Sequence, residues 1–100
     1  MKAEDLMIGN WVYYKDESIR LSSGDLTSQF YIDQFKPIPL TEENIVELLG
    51  FKRSLILRFL YLKSEMCIDW YEKTIKINDY TIPLPKHVHK LQQLIKSLEE

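Results

Sequence analysis

The residues best suited to chemistry stand near the end of the chain, in PKHVHKLQQL (85–94), where His87 and His89 are one residue apart. Two imidazoles could hold a metal or move protons, provided that they face each other. On a helix, residues two apart are separated by about 200°. Val88, Leu91, Leu94, Ile95 and Leu98 recur at helical spacing, which predicts a C-terminal helix over about 86–98, opened by Pro85. His87 then lies on the edge of the apolar stripe and His89 points to solvent. A zinc-binding helix needs histidines at i and i+4 with further ligands nearby. The expectation is therefore no metal site and no cofactor. A strand over 86–89 would reverse it, by putting both rings on one face.

The other chemical groups are dispersed. Cys67 is the only cysteine, so no internal disulfide can form, and a reducing compartment suits the chain. As a nucleophile it would need a histidine brought close in the fold and an activated thiolate, which a sequence does not show, and an inert thiol is the expectation. The carboxylates cluster where structure explains them: Glu42, Glu43 and Glu47 on a short helix, Glu99 and Glu100 at the tail. The three glycines are isolated, which excludes Walker and Rossmann phosphate loops. No catalytic residue is assigned, and an enzyme is not expected.

One hundred residues with 45% hydrophobic and 28% charged content suit a single domain, 1–100, with one core. A net charge of −2 argues against a whole-surface polyanion binder but allows a local basic patch. The most apolar run, LILRFLYL, holds Arg58 and is only eight residues long, so neither a span nor a membrane partner is expected. The expected location is the cytoplasm.

Around these groups the chain reads as α+β: an antiparallel twisted sheet of short strands, in a meander that could close in part like a barrel, with two helices. NWVYY and IRLS, flanking KDES, suggest a hairpin. LTSQFYIDQF (26–35) suggests a third strand after the turn at Ser23-Gly24-Asp25. In KPIPLTEENIVELLGF, Pro37 and Pro39 hold the chain extended and Thr41 caps a helix over about 41–49. Gly50 ends it, with Phe51 expected to fold back onto Val46. SLILRFLYLK (54–63) is either strand or helix by periodicity; strand is favoured because MCIDWY, TIKI and YTIP follow, separated by turn candidates at Ser64-Glu65, Glu72-Lys73 and Asn78-Asp79. Met66, Ile68 and Trp70 should face inward, leaving Cys67, Asp69 and Tyr71 outward. The tripeptide IPL, at 38–40 and 82–84, reads better as a reused junction than as a duplicated unit.

These elements leave two candidate surfaces. Outward aromatics Tyr14, Tyr31 and Tyr71 suit a protein interface, with another protein as partner or a second copy of the chain. Lys52, Arg53, Arg58 and Lys63, interleaved with Phe59 and Tyr61, could contact nucleic acid. That reading is the weaker one, because strand alternation puts Phe59 and Tyr61 on one face and Arg58 on the other. A charged edge that discourages sheet pairing explains the cations as well. The PxP segments lack the PxxP spacing of proline-rich ligands.

Three motifs recur in order: Leu6-x-Ile8-Gly9-Asn10-Trp11-Val12, then Pro37-Ile38-Pro39-Leu40-Thr41-Glu42-Glu43 running to Leu48-Leu49-Gly50-Phe51, and His87-Val88-His89-Lys90-Leu91-Gln92-Gln93-Leu94. Together they resemble a group of small uncharacterised proteins from Bacteroides and relatives, often found in prophage-like or other mobile regions. The likeness spans most of the chain, but residues 52–80 carry none of it, and LIKSLEE replaces a more aromatic tail. It implies a bacterial, intracellular, mobile-element context and carries over no catalytic residue.

Overall fold

The computed structural model describes residues 1, 5–26 and 32–99. It divides the chain into two compact units. Unit 1 comprises Met1–Pro39 and Lys86–Glu100, and unit 2 comprises Leu40–Pro85. The class is α+β, with antiparallel strands in two sheets and no closed barrel.

In unit 1, β1 (Trp11–Tyr14) and β2 (Glu17–Arg20) form the expected hairpin. Lys15 and Asp16 both have positive φ, the backbone of a two-residue turn whose twist matches the strands. That turn closes early, so β2 begins two residues before the expected IRLS. The other edge of β1 is bridged by Lys36, which exchanges two 2.9 Å backbone hydrogen bonds with Tyr13. A second sheet thus forms around this hairpin instead of one continuous sheet. Residues 27–31 of the strand expected over 26–35 lie outside the described residues. Its described end is a turn, with the Phe35 amide donating to the Ile32 carbonyl. Leu6, Val12, Leu21, Ile32 and Phe35 form the core here.

The C-terminal helix α2 (Val88–Glu99) starts later than expected. His87 is not helical. It bridges Pro39 in extended backbone, and the Val88 amide donates to the Ile38 carbonyl at 2.9 Å. From α2 two adjacent glutamines reach the loop before β1. Gln92 accepts from the Trp11 amide at 2.8 Å and donates to the Gly9 carbonyl at 2.9 Å. Gln93 donates to the Asp5 carbonyl and to Asn10 Oδ1. Asn10 is buried, and its Oδ1 also accepts from the Met7 amide at 2.9 Å. Gly9, at φ +92°, lies in a backbone region that disfavours side chains. The first and third sequence motifs therefore meet as a backbone clamp. Asn10→Ala strips an acceptor from two donors, so urea denaturation should show a loss of about 1–2 kcal/mol, the cost of leaving such groups unpaired.

Unit 2 opens with α1 (Glu42–Glu47), capped by Thr41, whose hydroxyl accepts from the Asn44 amide at 3.1 Å. Gly50 at φ +76° ends it as expected. The Phe51 amide returns to the Ile45 carbonyl, whereas Val46 faces solvent. Ile45 and Leu49 are the buried positions of this turn.

The sheet that follows is a meander in sequence order: β3 (Lys52–Arg53), β4 (Leu60–Lys63), β5 (Met66–Asp69), β6 (Thr74–Ile77) and β7 (Tyr80–Pro83). Tyr61, Ile68, Ile75 and Ile82 stand in register across four strands. The first three are buried and Ile82 is partly so, which makes this the core face. Helix α1 is tied to that face by the Tyr61 hydroxyl, which donates to the Glu42 carboxylate. Burial, and then this carboxylate, push the Tyr61 hydroxyl above its ordinary range. The turns expected at Ser64-Glu65 and Asn78-Asp79 are present, and the one near Glu72-Lys73 spans 70–73.

Candidate interaction surface

The strand expected over 54–63 is the main correction, because only Leu60–Lys63 is strand. Residues 54–59 form the loop that joins β3 to β4, and its own hydrogen bonds fix it. The Ser54 amide donates to the Leu60 carbonyl at 2.8 Å, and the Leu60 amide to the Leu57 carbonyl at 2.9 Å. Ser54 Oγ accepts from the Ile56 and Leu57 amides, both at 3.3 Å. The Arg53 guanidinium donates across the loop mouth to the Arg58 carbonyl at 2.8 Å.

This closure turns two aliphatic side chains into water. Leu55 is 99% exposed and Ile56 89%. Five of the ten exposed large hydrophobic side chains of the described residues fall between 55 and 62, so the exposure is concentrated. Contiguous exposed apolar surface marks a contact site more often than scattered residues do. Beside the tip lies an open groove of about 550 Å³ whose lining includes Leu55, Ile56 and Leu62 with Lys52, Arg53 and Lys63. Residues 48–64 hold four of the thirteen cations and none of the fifteen carboxylates. The stretch therefore carries +4 while the rest of the chain carries −6.

All four expected cations belong to this hairpin. Lys52 and Arg53 are β3, Arg58 is in the loop, and Lys63 ends β4. Lys63 Nζ donates to the Leu49 carbonyl at 2.7 Å and stands 5.9 Å from the Phe51 ring centroid. Tyr61 is buried, so it cannot share an aromatic face with Phe59 as expected. Phe59 instead neighbours Tyr71, with ring centroids 6.1 Å apart.

Of the expected interface tyrosines, Tyr71 is 79% exposed. It lies in the 70–73 turn, where the Glu72 amide donates to Asp69 Oδ1 at 3.0 Å and Lys73 Nζ stands 3.3 Å from the Trp70 ring centroid. Tyr14 is half-buried, its ring edge-on to Phe35 at 5.8 Å. Tyr31 lies outside the described residues.

The histidine expectation also changes. Because His87 precedes the helix, the 200° separation does not apply. The two rings stack, with centroids 5.9 Å apart and planes at 28°. His89 is only 3% exposed rather than solvated, and its Nδ1 is buried with no hydrogen-bond partner among the described residues. Burial, the nearby Lys90 ammonium and His87 hold its pKa below the usual value. Among the described residues, no three His, Cys, Asp or Glu side chains are grouped so as to hold a metal ion. Cys67 is half-buried on β5, and its thiol is pushed up by burial and by Asp69, which keeps it protonated and a poor nucleophile.

The aliphatic residues 55–57 and Leu62 were missed as surface residues because an apolar run reads as buried. The lack of any carboxylate over 48–64 was the available sign. No helix among the described residues is long and apolar enough to cross a membrane. No protein-family model, curated protein or solved structure matches the chain.

Proposed function

We propose that the protein is a small non-enzymatic accessory or adaptor protein that works in the cytoplasm by contact with another protein. The observation that carries the reading is Tyr71, almost fully in water, on a turn held by the Asp69 side chain and beside Phe59. A turn whose backbone is already held loses little freedom on binding, and aromatic anchors dominate interface energies. The same proposal places the protein in a bacterial host, with a prophage or mobile-element origin.

A photo-crosslinking amino acid at position 71, compared with one at Asp16 in the β1–β2 turn, tests the reading in host cells. One discrete protein adduct from position 71, absent from position 16, is the expected result. In the complex so identified, Tyr71→Ala should weaken binding about thirtyfold, the scale of a hot-spot residue. No adduct from position 71, or the same adducts from both positions, would overturn it.

The second reading is a nucleic-acid contact through Lys52, Arg53, Arg58 and Lys63, favoured by the absence of carboxylates around them. It requires affinity that falls steeply with salt. The tip these cations flank, Leu55 and Ile56, is aliphatic, however, and the exposed rings nearest to it, Phe59 and Tyr71, stand against each other.

A further inference from the structure

We infer that the 54–58 loop of unit 2 is a docking point for an anionic lipid bilayer. Leu55 and Ile56 enter the apolar boundary, and Lys52, Arg53, Arg58 and Lys63 meet lipid phosphates. This goes beyond the protein-contact reading, which rests on Tyr71, and it departs from the expectation of no membrane partner. Surface docking needs no spanning segment.

Three observations converge. The exposure of Leu55 and Ile56 is imposed by the loop's hydrogen bonds, through Ser54 Oγ, the Leu57 carbonyl and the Arg53–Arg58 tie. The tip is thus presented in a fixed shape, and its insertion costs little ordering. Along the chain the loop and its two strands carry a charge of +4 with no carboxylate over residues 48–64, in a chain that is otherwise acidic; the fold brings beside them the carboxylates of Asp69, opposite Leu60, and of Glu72, in the turn next to Phe59. An anionic occupant is the complement of that charge, whereas a second copy would bring two cationic loops together. The tip chemistry then chooses among anionic partners. Leucine and isoleucine partition into hydrocarbon, cannot stack on bases, and leucine is under-represented among protein hot spots. Apolar insertion with a cationic surround is the combination that holds proteins at acidic lipid surfaces, and both parts add to affinity.

Co-sedimentation with large unilamellar vesicles tests this on the full chain. One set is phosphatidylcholine alone and the other is phosphatidylcholine with phosphatidylglycerol at 3:1, both in 0.1 M NaCl. The expected result is binding to the anionic vesicles, at least tenfold tighter than to the neutral ones and weakened in 0.5 M NaCl. The double variant Leu55→Asn/Ile56→Asn changes only solvent-facing side chains, so its urea midpoint should match wild type while its vesicle affinity falls at least tenfold. As an independent readout, Ile56→Trp should show a blue-shifted fluorescence on anionic vesicles only. No wild-type binding to the anionic vesicles would overturn the inference, as would unchanged binding by the Asn double variant. Tighter binding to a 20-nucleotide single strand, indifferent to that variant, would also overturn it in favour of nucleic acid. So would a dimer by light scattering that the variant abolishes, in favour of self-association. The crosslink at position 71 is independent of all these outcomes, so this inference and the protein-contact reading can fail separately.

Discussion

Phe51→Ala should lower the stability of unit 2 by about 3–5 kcal/mol, the range for removing a fully buried aromatic side chain. Phe51 is 1% exposed and stands where three features meet. Its amide closes the end of α1 onto Ile45, Gly50 before it takes the left-handed backbone, and β3 begins one residue later. Losing the ring leaves a cavity under the strand that starts the exposed hairpin. It also removes the surface over which Lys63 is placed. Val46→Ala is the matched control. Val46 lies in the same helix but faces solvent, so its effect should stay within about 0.5 kcal/mol. Urea denaturation of both variants checks the pair. A small loss for Phe51→Ala would mean that the ring is not part of the core, and a large one for Val46→Ala would mean that the ring packs on Val46 as sequence alone suggests.

That contrast shows what was legible in the chain. The start and stop of α1 were legible because Thr41, Glu42, Glu43 and Gly50 act within one turn of where they stand. The tight turns were legible for the same reason: Asn78 takes the positive φ that its short polar side chain tolerates. Alternation placed Met66 and Ile68 inside and Tyr71 outside. What failed depended on partners distant in sequence or on loop closure. Whether LILRF is buried is not a property of those five residues. It is decided by Ser54 bonding forward to Leu60 and so ending the strand early. His89 was misread because the helix starts only after His87 has paired with Pro39, 48 residues away. The cations were legible as residues, but their meaning was not. Alternation sets Arg58 on the face opposite Phe59 and Tyr61, whereas the structure takes Arg58 and Phe59 off the strand into the loop and leaves Lys52, Arg53 and Lys63 on the two strands that carry it.

Acidification from pH 8 to pH 5 should destabilise the protein, and the buried His89 should account for a definite share of the loss. In the folded chain His89 resists protonation because burial, Lys90 and His87 all disfavour its cation, while Asp5, itself 3.9 Å from Lys90, helps it only in part. In the unfolded chain it titrates near its ordinary value of about 6.5. Above that pH neither state is protonated and the full stability is present. Below it the unfolded chain binds a proton that the folded chain refuses. Stability therefore falls as the pH drops from about 6.5 toward the depressed folded value, with a limiting slope of about 1.4 kcal/mol per pH unit. Most carboxylates titrate below this window, which keeps the histidine contribution separable. His89→Phe removes the titrating group and its unpaired Nδ1 while keeping a ring in the site. Denaturation midpoints followed by tryptophan fluorescence at pH 8, 7, 6 and 5 should therefore slope more steeply for wild type than for the variant below pH 6.5. Equal slopes, or a wild type that gains stability on acidification, would mean that the imidazole takes its proton in the folded state. The stacked His87–His89 pair would then have to find a carboxylate or water to satisfy the charge. The sign of one slope thus distinguishes a histidine kept neutral by packing from one poised to bind a proton.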